Sequence, residues 1–119
     1  MSSEYSFIEF TKKLLSEHTN VTSVQERNDY VFEVTRSMQE DKVVVVIVNE
    51  YVLGELTILR IIQENPDVAI ICSGGDWNKP TKNAFDLCSE HNVCLCNFKG
   101  LYWVLFKKNC RNYVCDTYC

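Results

Sequence analysis

The spacing of hydrophobic and polar positions changes character several times along this chain. Residues 43–48, Val-Val-Val-Val-Ile-Val, form an unbroken run of six β-branched side chains. Such side chains are stiff at χ1 and fit a pleated surface better than a helix. With no polar alternation, the run predicts a strand over 43–49 that is covered on both faces. It is far too short to cross a bilayer. Ahead of it, Phe7, Phe10, Leu14 and Leu15 recur at helical spacing. Ser6 and Glu9 have the spacing of a capping box, so a helix is predicted over 6–18. Residues 21–27 and 30–35 read as short strands joined by the turn-like Arg27-Asn28-Asp29. A polar loop at 37–41 then leads into the central run. Three strands in close succession predict an antiparallel meander.

Beyond the central run, Leu53, Leu56, Leu59 and Ile62, with Ile58 and Ile61 beside them, mark a second helix. It stops at Asn65-Pro66, because a residue before proline avoids the α region. Val68–Cys72 is another wholly apolar strand, predicted to lie parallel to the central one because a helix separates them. A loop at 73–78 follows, and Pro80 suits the first turn of a third helix reaching His91-Asn92. Residues 93–98 read as a last core strand. The stretch 101–106, Leu-Tyr-Trp-Val-Leu-Phe, has strand composition with Lys99-Gly100 as a hairpin turn; a short buried helix is the alternative.

With 119 residues, the chain is expected to form a single domain, 1–119, ending in a Cys-rich tail over 107–119. The N-terminus lacks the basic start and apolar core of a signal peptide, so an intracellular, cytoplasmic location is expected, with no membrane partner. A net charge of −4 argues against a broad basic surface gripping nucleic acid, while leaving room for a local basic patch. Of seven cysteines, Cys72, Cys94 and Cys96 fall in strand patterns and are expected to act as small hydrophobes. Cys110, Cys115 and Cys119 lack the C-x2-C spacing of a zinc knuckle.

The order of elements is helix, three-strand meander, helix, strand, helix, strand. It resembles the α-β-β-β-α-β core of the restriction-endonuclease-like, or PD-(D/E)xK, superfamily, with one further helix and strand. In particular it resembles Mrr-type restriction endonucleases and Holliday-junction resolvases. Their second half runs strand, Thr-containing loop, helix with small residues, and a strand before a glycine. Val68-Ala-Ile-Ile-Cys72, Lys79-Pro-Thr81-Lys-Asn-Ala84 and Val93-Cys-Leu-Cys-Asn-Phe-Lys-Gly100 follow that pattern. The resemblance implies an α/β fold with a three-layer core, a mixed sheet flanked by helices. It implies a metal-dependent DNA endonuclease ancestry. An Asp at the start of the second strand and a Glu/Gln-x-Lys near the end of the third would hold Mg²⁺ and activate water.

Asp29 fits the first of these positions and is the candidate metal ligand. The third strand, set against the family pattern, has Ile47 in place of the acid and Asn49 in place of the lysine. Glu50 is one residue out of register and would face the other way. Asp29, Asn49 and Glu50 are therefore candidates for a residual, degenerate active site, with no cofactor expected unless the site is active. A literal D…ExK match, Asp29 with Glu40-Asp41-Lys42, falls in a polar turn. Asn49 and Glu50 have an alternative role in capping the following helix. His18 and His91 fall near helix ends, where a cation suits the dipole. The Ser73-Gly-Gly-Asp76 loop lacks the spacing of known phosphate-binding loops, and a connecting role is expected.

Trp77, Lys79 and Lys82 mix aromatic and positive groups and are candidates for nucleic-acid binding. Trp103 has Lys99, Lys107, Lys108 and Arg111 near it, but is expected in the core. The functional expectation is a nuclease-superfamily domain of defence or repair type, decayed in catalysis and binding DNA. The alternatives are a protein-interaction module on the same scaffold and an active endonuclease. A different fold, a doubly wound domain of flavodoxin or receiver type, would require parallel neighbours on both sides of the central strand.

Overall fold

The computed structural model describes residues 3–49, 52–74 and 79–112. Its centre is β3, Asp41–Ile47, which pairs antiparallel with β2, Val31–Arg36, through Phe32↔Val45 and Val34↔Val43. β1, Val21–Asn28, adds antiparallel to β2 and completes the meander. On its other side β3 pairs in parallel with β5, Val68–Cys72, which pairs in parallel with β7, Cys94–Cys96. The sheet order is thus β1-β2-β3-β5-β7. An antiparallel neighbour on one side of β3 excludes the doubly wound arrangement. The chain is an α/β domain with a mixed sheet.

Alternate side chains of β3 go to different cores. Val43, Val45 and Ile47 join Phe32, Val34, Ile70 and Cys72 against α1, Ser3–Glu17, and α4, Phe98–Val104. Val44, Val46 and Val48 join Val31 and Ile71 against α2, Glu55–Glu64, and α3, Lys82–Glu90. All six are at most 7 % exposed, which explains why no polar residue interrupts the run. A parallel two-stranded ribbon, β4 (Val52–Leu53) with β6 (Lys79–Pro80), forms separately from the main sheet.

Several local expectations are corrected. α1 begins at Ser3, so Ser6 is inside the helix and does not cap it. Pro80 lies in β6, and Thr81 is the α3 cap, accepting from the Ala84 amide at 3.1 Å. The last strand covers Cys94–Cys96 rather than 93–98, because Asn97 starts a helix by accepting from the Gly100 amide at 2.9 Å. The stretch 101–106 is therefore not a strand. Leu101, Val104 and Leu105 are buried at i, i+3 and i+4, and that helical period outweighs a β-rich composition. Trp103, expected in the core, faces outward and is 51 % exposed. Cys72, Cys94 and Cys96 are buried free thiols, as expected of small hydrophobes, and Cys110 is buried in a 3₁₀ turn, Cys110–Asn112. Cys115 and Cys119 lie outside the described residues.

Buried polar side chains tie the hairpin turns to the C-terminal elements. Asn20 donates to the Gln39 side chain and to the Leu105 carbonyl, both at 2.8 Å, and accepts from the Met38 amide at 2.9 Å. His18 Nε2 lies 2.8 Å from the Tyr102 carbonyl, while its Nδ1 accepts from the Asn20 amide at 3.0 Å. A carbonyl only accepts, so Nε2–H donates to Tyr102 while Nδ1 serves as the acceptor, and the ring is used to join α1 to α4. Arg36, 1 % exposed, grips both Asp41 carboxylate oxygens and donates to the Lys107 carbonyl.

Two substitutions test this account. Gly74 has φ +89°, and a Cβ there would collide with the Phe7 ring. Gly74→Ala should lower unfolding free energy by about 1–3 kcal/mol in urea titrations. Asn20→Ala strands the Met38 amide and the Leu105 carbonyl, and a loss of about 1–3 kcal/mol is expected by the same method.

Candidate functional site

An open groove of about 570 Å³ lies where the tip of the β1–β2 hairpin, the carboxyl end of β3 and the last turns of α2 meet. Its apolar lining includes Val31, Val46, Ile47, Val48 and Ile61, and its polar groups include Asn28, Asp29, Asn49, Arg60, Glu64 and Asn65. The carboxyl ends of sheet strands are the usual ligand location in α/β folds. The hairpin tip is shaped by Asn28, whose Oδ1 accepts from the Tyr30 amide at 2.8 Å in an Asx turn. The Tyr30 carbonyl then accepts from the Ile47 amide at 2.9 Å, fixing the tip against β3.

Arg27, just before the tip, clamps the hairpin to the rest of the domain. It donates to Glu33 at 2.8 Å and forks onto Asp67 at 3.1 and 2.7 Å. The hydrogen bonds from Arg27 hold the Glu33 and Asp67 carboxyls below their ordinary range and raise the guanidinium above its own. Asp67 is joined from the other side by Arg111, which donates to its carbonyl at 3.2 Å and to the Val68 carbonyl at 2.9 Å.

The structure brings Asp29 and Asn49 to the same groove. Asp29 is exposed in the two-residue hairpin turn, a position that turn chemistry alone accounts for. The pairing Val31↔Val46, continued outward, sets position 29 opposite position 48. Val46 and Val48 thus lie on that side, whereas Ile47 packs in the α1-side core. Asn49 does not cap α2, whose cap is Gly54. Glu50 and Trp77 lie outside the described residues. Lys79 pairs with Val52 in β6, and Lys82 is exposed at the start of α3, 2.9 Å from Asp86. Lys82 is not among the groove residues.

The literal D…ExK match does not converge. Arg36↔Asp41 and Val31↔Val46 are opposite ends of one strand pair; Glu40 lies beyond one end and Asp29 beyond the other, which separates them by roughly 27 Å along the strands at ~3.4 Å per residue. Asp41 is engaged by Arg36 and Lys42 lies 3.6 Å from Glu33. Among the described residues, no group of three His, Cys, Asp or Glu side chains is placed to hold a metal ion. The Mg²⁺ implied by the resemblance asks for several oxygen donors, and the two groove carboxylates, Asp29 in the hairpin turn and Glu64 on α2, with no third His, Cys, Asp or Glu grouped with them among the described residues, do not fit it.

Arg60 and Glu64 were not anticipated as groove residues. Their sequence signal is an i, i+4 spacing of opposite charges near the end of α2, which does not by itself report where the helix packs. No family model matches the chain, and no curated protein or solved structure matches it either. No helix among the described residues is long and apolar enough to cross a membrane.

The Arg27 clamp gives a signed pH dependence. Carboxyls with depressed folded pKa stabilise the fold above their unfolded values, about 3.9 for Asp and 4.3 for Glu, and that stability is lost as pH falls through the folded values. The urea midpoint should therefore drop as pH is lowered from about 5 to about 3. Asp67→Asn should lower the midpoint at neutral pH and make the acid-induced drop smaller.

Proposed function

We propose that this chain is a restriction-endonuclease-like domain that no longer cleaves and works by binding nucleic acid. The observation that carries the reading is the sheet order β1-β2-β3-β5-β7: an antiparallel meander extended by two parallel strands through helical crossovers. That is the order the α-β-β-β-α-β resemblance implies, and a groove lies at the carboxyl end of its third strand.

Loss of cleavage is supported by both faces of β3. One ends in Val46 and Val48, the other in Ile47 and Asn49, and no lysine occurs between Lys42 and Lys79. Metal-assisted phosphodiester hydrolysis needs carboxylates to hold the ion and polar groups to activate water. Hydrocarbon side chains supply neither. Asn28, Asn49 and Arg60 retain the ability to donate hydrogen bonds to phosphate or base edges without hydrolysing them.

One observation favours the second reading, a protein-interaction module. Lys12, Arg27, Lys42 and Lys82 each lie within ion-pair distance of a carboxylate, which withdraws charge from the surfaces that would meet a duplex.

The deciding experiment incubates plasmid, linear and branched DNA with the protein and Mg²⁺ or Mn²⁺, and measures retention on immobilised duplex across a salt series. No cutting, with retention that falls steeply as salt rises and weakens in Arg60→Ala, is the expected result. Cutting that Asp29→Ala abolishes would restore an active endonuclease. Absence of both cutting and retention would leave the interaction module as the better account.

A further inference from the structure

We infer that the exposed side of α4 is a binding surface for single-stranded nucleic acid, with Trp103 and Tyr102 stacking on unpaired bases and Lys99 and Lys107 holding the phosphates between them. The surface is separate from the groove, and the argument for it is independent of the nuclease resemblance.

α4 buries Leu101 and Val104, and Leu105 follows them into the core. The opposite side carries Tyr102, 40 % exposed, and Trp103, 51 % exposed. The two rings meet edge to face with centroids 5.2 Å apart. Beyond α4 the chain tightens: the Leu105 amide donates to the Leu101 carbonyl, and the Phe106 and Lys107 amides donate three residues back, to Trp103 and Val104. Lys99 and Trp103 stand at i and i+4 on α4, and Lys107 follows in the turn after it. At 1.5 Å per residue Lys99 and Trp103 are about 6 Å apart along the axis, about two stacked nucleotides at ~3.4 Å each. Phe98, one turn before Tyr102, packs on Phe10, itself 52 % exposed, at 4.6 Å and extends the aromatic surface onto α1.

Charge is segregated to match. Residues 91–115 contain no Asp or Glu, and Lys99 and Lys107 bound the two rings in a chain whose net charge is −4; Arg111 is held elsewhere, at the Asp67, Val68 and Asn92 carbonyls. The two lysines favour an anionic partner at this surface. Helix stability does not account for them. Lys107 and Lys108 suit a helix C-terminus, but Lys99 sits in the first turn, where a cation opposes the dipole. Singly exposed apolar residues are ordinary, whereas neighbouring half-exposed aromatics bounded by cations match the composition of single-strand platforms. Stacking on an indole requires an unpaired base, which selects single strands over duplex.

The test uses Trp77→Phe, in which Trp103 is the one remaining indole, titrated with oligothymidine while its fluorescence is followed. Quenching that weakens with salt is expected. Trp103→Ala, followed by fluorescence anisotropy of a labelled oligonucleotide, should weaken binding roughly 5- to 150-fold, and Trp103→Phe should restore part of it. Replacing Lys99 and Lys107 together by Gln should reduce the salt slope by about 1.4, at ~0.7 per phosphate. These are exposed positions, and unchanged circular dichroism and melting temperature will separate lost binding from lost fold. Oligothymidine binding that is indifferent to the α4 substitutions or matched by polyglutamate would overturn the proposal, as would no binding by the unsubstituted chain.

Discussion

Everything in this domain answers to one constraint: the valine-rich strand β3 must be dry on both sides. Each buried Val or Ile side chain contributes about 1.5–3 kcal/mol relative to exposure, so a run of six cannot be left half covered. One face is closed by α1 and α4, the other by α2 and α3. The edges are closed too, by a local antiparallel hairpin partner and a distant parallel one. β3 is thus where contacts made early in the chain meet contacts that need a helical crossover.

The second organising force is polar. Arg36, Asn20 and His18 are buried, and each is matched with backbone carbonyls or carboxylates at hydrogen-bond distance. Such groups are costly when orphaned and add little when merely paired, so their main effect is on specificity of arrangement. They position α4, whose own length of seven residues would not sustain it in isolation. The outward side of that helix is left for solvent and for whatever binds there.

How much of this was legible depended on how far each signal reached. The β-branched run, the apolar 68–72 strand and the polar breaks before them announced the meander and the parallel extension, because period and length are local properties. The 101–106 stretch was not legible in the same way. Its composition favours a strand, and only the Asn97 cap with burial of Leu101, Val104 and Leu105 selects the helix. The helix, the alternative of the two, turns Trp103 outward rather than into the core expected for it. For the site, Asp29 and Asn49 were found from motif reasoning and do share a groove, but the facing of β3 was not, since register depends on the hairpin geometry. Arg60 and Glu64 come to the groove through packing of α2 on the sheet, which no spacing rule reports.

The long reach of the buried polar bonds also sets an order on how the chain can be made. Asn20 waits for a carbonyl 85 residues later, and Arg36 for one 71 residues later. While the chain is being synthesised, a meander already rich in valine stands with one face uncovered and two buried donors unmatched until α4 has left the ribosome. Domains whose closure depends on late elements spend that interval aggregation-prone, and a chaperone or rapid synthesis protects them. In this protein α4 acts as the clasp on the core.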